Sequence, residues 1–413
     1  MKSYSQALKI LKKSKIFINN EYIKSSKSLN RVCVESIYSN ANYPSADNSS
    51  FDGFAINSKD TKNLSKKKSK LFRILGTIAA GNKPSSNKIK RFQTFEIMTG
   101  GLLPKGLDTI IPIEKIVFYP NKKKPKFIII DKKITKNNNV RFAGSDYKKG
   151  DKIISAGEII NSSHILAFKS LGIEKITVKK KPLIVFYSTG NEISKKNNIP
   201  NWKVRNSNVH YIKSLSKNLF FNVVDGGILR DNDEKLFKKI ITKNFKSKYD
   251  IIITSGAVSA GKFDFIPKII KKFKLSKYFK GVAIRPGKPI MFAKFKNKNK
   301  SFFGLPGNPI SSAACFKFFV YPYIRSILKM KKEQPFRATL KKNFFKTKKF
   351  TRFLKSKVSI NSKGIIEVEI LKGQESFRIK SLIESNNWAV LKSGKSDFKK
   401  GDYIECYSPT GIN

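Results

Sequence analysis

Carboxylates are scarce in this chain. Its 413 residues hold 28 Asp+Glu against 85 Lys+Arg, a formal net charge of +57. Acids that gather beside turns therefore carry information. Cysteine is scarce too: Cys33, Cys315 and Cys406 stand far apart, and no C-x-x-C occurs. That excludes a disulfide framework and a cysteine zinc site, and it fits a reducing compartment. The two histidines, His164 and His210, are isolated, which excludes a Ser-His-Asp triad and a histidine metal site. Long apolar runs are missing as well. The opening MKSYSQALKILKKSKIF carries lysines through its apolar positions and has no signal-peptide core. Pro309 to Leu328, the longest apolar-rich segment, is interrupted by Lys317 and Arg325, which suits a buried helix better than a membrane span. The expectation is a soluble cytoplasmic protein.

The basic surplus is mostly Lys, scattered from Lys2 to Lys400. Specific phosphate and base readout leans on Arg. A lysine-rich composition spread over solvated faces explains the charge better than a nucleic-acid surface, although weak polyanion adhesion at low salt follows. The 40% hydrophobic content is enough for real cores. The length predicts about two to four domains.

One stretch, Asp250 to Pro309, organises the rest. Apolar runs at 251–253, 282–284 and 302–303 each end in a glycine-containing turn: Ser255-Gly256, Pro286-Gly287-Lys288, and Gly304 to Asn308. Such runs predict buried strands with helices between or after them. In α/β sheets ligands sit at the carboxyl ends of strands. All three turns are expected to open into one anion crevice, with Pro309 starting the last helix. Ser259, Gly261 and Asp264 continue the first loop.

Upstream, 5–18 is predicted helical and RVCVESI (31–37) a strand. Asp52-Gly53 makes a turn before Phe54-Ala55-Ile56, and 71–140 is mostly β. A helix over 161–172 is capped by Ser162 or Ser163. Asn206-Ser207-Asn208 caps a helix over 209–218. The stretch from Phe221 predicts two strands before a helix that begins near Asp231 to Glu234. Five short β runs after Lys329 predict a small barrel or sandwich. Asp52, Asp146, Glu192, Asp231 and Asp264 all fall in turn-rich segments. Ordinary turn chemistry accounts for each alone. Together with glycine loops they point to metal-assisted chemistry on a phosphorylated or oxyanionic small molecule, since Mg²⁺ favours hard oxygens.

DNSSFDGFAI (47–56), IAAG (78–81), MTGGLLPKGLDTIIPIE (98–114), GSDYKKGD (144–151), STGNEI (188–193), SGAVSAGKFD (255–264), RPGKP (285–289) and GLPGNPISS (304–312) follow one another in order. With them the chain resembles the MoeA-type molybdopterin molybdenumtransferases, relatives of the gephyrin E domain, nearly end to end. The resemblance implies molybdenum insertion into adenylylated molybdopterin, with Mg²⁺, molybdate and release of AMP. Tungsten insertion, or a non-catalytic scaffold or polyanion-binding role, is the alternative.

It also implies a multidomain α/β plus β fold. A discontinuous N-terminal linker domain covers 1–44 and 142–177, and an inserted mostly-β domain covers 45–141. A three-layer α/β pterin-binding domain with a parallel or mixed sheet covers 178–328, and a small C-terminal β-barrel covers 332–413. A homodimer is implied, with the cleft between the α/β domain of one subunit and the β insertion of the other; a molybdopterin adenylyltransferase is a possible partner. Carried over by position, Asp52, Asp146, Glu192, Asp231 and Asp264 are expected to be catalytic, the last three as Mg²⁺ ligands. Thr99, Ser255, Gly256, Ser259, Gly261, Arg285, Lys288, Pro306, Asn308 and Pro309 are expected to bind the pterin substrate and the oxyanion. The chain departs from the family pattern at Asn191, Ala257, Lys262 and Gly373-Gln374-Glu375-Ser376. The last leaves the role of the C-terminal domain open.

Overall fold

A computed structural model describes residues 1–83, 88–196, 198–231, 233–258 and 265–409. Its centre is a six-stranded mixed sheet in the order Asn222–Leu229, Leu183–Thr189, Ile251–Ser255, Ser301–Leu305, Met291–Phe295, Leu275–Lys280. The first four strands are parallel, Met291–Phe295 runs against them, and Leu275–Lys280 pairs antiparallel with Met291–Phe295. Every residue of Ile251–Ser255 and of Ser301–Leu305 is buried. Unbroken apolar strands of this kind form where both sheet faces are covered. Val209 and Ile212 of helix Asn208–Ser216 pack on one face, with the helical segment from Pro309 to Ile327. Helices Glu234–Phe245 and Ile266–Lys271 cover the other. The result is the three-layer domain the motifs imply.

A second six-stranded sheet has the order Thr109–Pro112, Gly53–Ile56, Gln93–Ile97, Lys70–Ile78, Phe127–Ile130, Val117–Tyr119. Gly53 is required there, because a Cβ would lie 2.0 Å from the Ile111 carbonyl oxygen. Chain on either side of this sheet comes back together. Asn20–Lys24 pairs with Lys175–Lys179, and Ile37–Tyr38 with Lys152–Ile154. After Lys329, strands Phe336–Leu340, Thr351–Ile360, Ile366–Ile370, Asn387–Leu391 and Tyr403–Tyr407 close into a five-stranded barrel. Among the described residues no helix is long and apolar enough to cross a membrane.

Several local expectations need correction. The first helix is Tyr4–Lys12 and stops short of 18, because Ile16 and Ile18 bury themselves beyond it and Ser14 Oγ–H turns back to Ile10 O (2.5 Å). RVCVESI makes only the isolated bridges Val32↔Ile159 and Cys33↔Val178 before the Ile37–Tyr38 strand. Helix Ser162–Ser170 is capped by Asn161, whose side chain accepts from His164 N–H, with Gly172 at φ +70° after its end. The two strands expected after Phe221 are one, Asn222–Leu229, carrying a register shift against Phe186 and Tyr187. The 282–284 run is not a strand of the central sheet: Ile284 and Arg285 pair with Thr351 and Arg352 of the barrel.

Candidate active site

The central site starts at the carboxyl end of two neighbouring strands. Their parallel ladder ends with the pair Ser255↔Leu305. Beyond it Gly256 N–H donates to Leu305 O (2.9 Å), and Gly256 adopts φ +106°. A Cβ on Gly256 would lie 2.2 Å from Thr189 O, so only glycine fits. Ala257 follows at φ +53°, a left-handed conformation that costs an alanine about 1 kcal/mol. Ser255 Oγ–H donates to Pro306 O (3.2 Å). Asn208 Nδ2–H donates to Ser255 Oγ and to Gly307 O, both at 2.8 Å. Asn308 then caps helix Pro309–Cys315, with Pro309 at its first turn. Thr189 Oγ1 and Ser312 Oγ are buried here and have no hydrogen-bond partner among the described residues.

Glu192 and Asp231 sit on adjoining loops at the same edge. Asn191 N–H donates to Asp231 Oδ2, and Asp231 N–H to Asn191 Oδ1, each at 3.2 Å. Arg230 binds the carbonyls of Gly190, Asn191 and Ile193. The Glu192 side chain is exposed and lies over Gly190, where a Cβ would meet Oε2 at 2.4 Å. Ser259, Gly261 and Asp264 lie outside the described residues. Among the described residues no three His, Cys, Asp or Glu side chains converge as a metal cluster.

The Pro286-Gly287-Lys288 turn faces elsewhere than expected. Because Ile284 and Arg285 join the barrel, Arg285 to Pro289 line a cleft of about 950 Å³ between the α/β domain and the barrel. Arg352 and Lys372 add two more cations, and Phe344, Phe350 and Phe377 line it as well. The Arg285 guanidinium lies 6.0 Å from the centre of the Phe350 ring. Burial, with Arg285 nearby, pulls the Arg352 pKa down from its ordinary value, and its Nε is buried without a hydrogen-bond partner. A half-buried guanidinium facing a second cation favours an anion.

This cleft is not remote from the glycine turns. Asn308 Nδ2–H donates to Ser376 Oγ (2.9 Å), Ile310 N–H donates to Ser376 O (3.1 Å), and Ser311 lines the cleft. The first turn of the helix at Pro309 therefore belongs to both.

Asp52 and Thr99 form a third group, on the inserted sheet. Thr99 N–H and Oγ1–H both donate to Asp52 Oδ1, at 2.6 and 2.8 Å. These bonds hold the exposed Asp52 carboxyl below its ordinary pKa. Asp146 is exposed on the loop that folds over 42–47, its N–H donating to Tyr43 O (3.0 Å). Of the expected residues, then, Ser255, Gly256, Pro306, Asn308 and Pro309 come together, Glu192 pairs with the Asp231 loop, Arg285 pairs with Lys288, and Asp52 pairs with Thr99. Arg352, Ser376 and Asn208 went unnoticed as site residues. Arg352 and Ser376 stand on strands and loops of ordinary composition, and Asn208 read as a helix cap.

Glycine turns at the carboxyl edge of a mixed α/β sheet, joined to a basic cleft under a barrel, define a multidomain binder of small anionic ligands. Residues 2–172 match the MoeA N-terminal region (domain I and II), 186–326 a probable molybdopterin binding domain, and 337–408 the MoeA C-terminal region (domain IV). A molybdopterin molybdenumtransferase of Staphylococcus aureus is 31% identical over 386 residues, covering 92% of this chain and 88% of the relative. One of Staphylococcus epidermidis is 30% identical over 409 residues, covering 98% and 94%. The crystal structure of a molybdopterin biosynthesis MoeA protein from Pyrococcus horikosii superposes with a TM-score of 0.81 at 26% identity, covering 98% of each chain. The chain belongs to the MoeA family of molybdopterin molybdenumtransferases.

Proposed function

We propose that this protein inserts molybdenum into adenylylated molybdopterin and releases AMP, as a transferase of molybdenum cofactor biosynthesis. The observation that carries this reading is the shared helix turn. Asn308 to Ser311 link the glycine turns, suited to a phosphorylated pterin, to the basic cleft, suited to a tetrahedral oxyanion. A donor of metal and an acceptor of metal would thus lie side by side, which is the positional requirement of the transfer.

The roles follow from residue chemistry. Glycine in the Ser255-Gly256 turn lets a ligand approach the backbone closely, which suits a phosphate. Arg285, Lys288 and Arg352 would hold molybdate, with Ser376 as a hydrogen-bonding partner. Cleavage requires a water oxygen to form a bond to one phosphorus of the phosphoanhydride while the bridging P–O bond breaks and AMP leaves. Glu192 and Asp231, with Asp264, would orient that water and accept its proton. The donor set fits Mg²⁺ in the mode that uses one or two carboxylates plus substrate phosphates. Bound there, Mg²⁺ would neutralise phosphate charge as the P–O bond breaks.

Asp52, Thr99 and Asp146 belong outside the central sheet. They would complete the cleft from a second subunit, so a homodimer is part of the reading. A cytoplasmic location and supply of substrate by an adenylyltransferase fit a labile, AMP-activated pterin. The test is a set of cleft variants. Arg352→Ala and Lys288→Ala should raise the molybdate concentration needed for half-maximal AMP release by about 10-fold or more, with the pterin KM near wild type. An unchanged molybdate requirement in both, in folded protein, removes the oxyanion assignment. Running molybdate against tungstate in the same assay decides the metal.

A further inference from the structure

Past the pair Ser255↔Leu305 the backbones are joined by Gly256 N–H donating to Leu305 O, and Gly307 lies two residues beyond that bond. Neighbouring strands twist relative to one another, so backbones that leave a sheet diverge unless something ties them. The tie that reaches Gly307 is a side chain. Helix Asn208–Ser216 begins with Ser207 as N-cap, and Ser207 makes no side-chain capping bond. Asn208 is free of capping duty and spends both Nδ2 protons on the turns, one on Ser255 Oγ and one on Gly307 O. The amide orientation is fixed by chemistry: a carbonyl oxygen only accepts, so the nitrogen must face Gly307. Ser255 Oγ, having accepted from Asn208, passes its own proton to Pro306 O. Ser255 is buried, at 1% exposure, which shields its own bonds from water, while the bond to Gly307 O stands at the surface. The turns also pass close together, since a Cβ added to Gly307 would lie 3.6 Å from Gly256 Cα.

We infer that Asn208 is a positioning residue that sets the spacing of the Ser255-Gly256 and Pro306-Gly307 turns, and thereby the affinity of the site for its phosphorylated pterin. This rests on the proposed function. The reaction itself is left to other groups, so the effect falls on substrate binding more than on the chemical step. Ser255 is the relay in this arrangement, and the two residues act as one unit.

The experiment measures AMP release from adenylylated molybdopterin by wild type, Asn208→Asp, Asn208→Ala, Ser255→Ala and the double variant Asn208→Ala/Ser255→Ala, with thermal midpoints for each. Asp keeps the shape of Asn but has no protons, and it puts an acceptor against the Gly307 carbonyl. The expected result is a pterin KM raised about 10-fold or more in Asn208→Asp and Asn208→Ala, with kcat within about threefold. The double variant should cost clearly less than the product of the single effects. A KM equal to wild type in either folded Asn208 variant overturns the inference, as does a multiplicative double variant or a loss confined to thermal midpoint. If Asn208→Ala fails to fold, Asn208→Asp and Ser255→Ala carry the same comparison. Wild type that binds and cleaves no adenylylated pterin removes the functional reading and this inference together; an active wild type with indifferent Asn208 variants removes this inference alone.

Discussion

At the scale of single residues, Asp52 has its charge state set by one neighbour. Thr99 donates twice to Oδ1, so the carboxyl titrates below its ordinary 3.8. A depressed folded pKa means the ionised form persists at neutral pH and is lost only as pH falls through that lowered value. Asp52 should therefore put no inflection between pH 5 and 8 into a profile of AMP release, and an inflection there that vanishes in Asp52→Asn would contradict the assignment. Asp52→Ala should lower turnover by about 100-fold or more, with a denaturant midpoint close to wild type because the side chain is exposed. Ala257 allows a stability prediction: its φ of +53° is relieved in Ala257→Gly, which should gain up to about 1 kcal/mol in chemical unfolding. Residue types with few explanations were legible from sequence. Gly256 at a strand end is one, and the structure shows why, since Thr189 O leaves no room for a Cβ. Arg352 was not legible: in FTRFLKSKVSI it is one cation among several, and only its register with Arg285 singles it out.

At the scale of elements, the loop carrying Ser376 depends on a lysine behind it. Lys355 is 1% exposed, and its Nζ donates to the carbonyls of Gly373 (2.7 Å), Glu375 (3.3 Å) and Arg378 (2.9 Å). Lys355→Met keeps the stem and removes the donors. It should loosen the cleft wall, raising the molybdate requirement while the pterin KM holds, as read in the AMP-release assay. The helical segment after Pro309 carries a buried ion pair, Lys317 Nζ–Glu333 Oε1 at 2.7 Å with side-chain exposures of 5% and 9%. Glu333→Gln leaves a buried cation without its partner, a change that costs about 3 kcal/mol. Burial holds the Lys317 pKa below its ordinary 10.5. Without Glu333, unfolded chain binds more protons there than folded chain, so the deficit in unfolding free energy should shrink as pH rises toward 10.5. The buried strands were legible from their apolar runs, because length and flanking glycines say strand whatever lies around them. The 282–284 run misled for the same reason. An apolar run bounded by Gly and Pro says only that it is buried, and its partner turned out to be the barrel.

At the scale of the whole molecule, the +57 charge is spread over Lys residues with mostly solvated heads, and polyanion binding should be a salt artefact. DNA retention at low ionic strength that disappears near 0.15 M salt is the expected result; retention at that salt would reopen a nucleic-acid role. The mostly-β segment, the α/β domain and the C-terminal β strands were legible as changes of style along the chain. What no pattern could show is that the basic cleft lies between the α/β domain and the barrel, because the contacts that make it join residues remote in sequence. The proposed dimer places Asp52 and Thr99 against a partner's glycine turns, and it predicts that, at limiting molybdate, a mixture of Asp52→Ala and Arg352→Ala protein releases more AMP through mixed dimers than the two variants do separately. The central claim is metal transfer coupled to AMP release. Its most direct test incubates the purified protein with adenylylated molybdopterin and Mg²⁺, with and without molybdate, and follows AMP and protein-bound molybdenum together. The expected result is AMP release that depends on molybdate, with molybdenum appearing on the pterin; a folded protein that keeps the adenylylated pterin intact in the presence of molybdate rules metal transfer out.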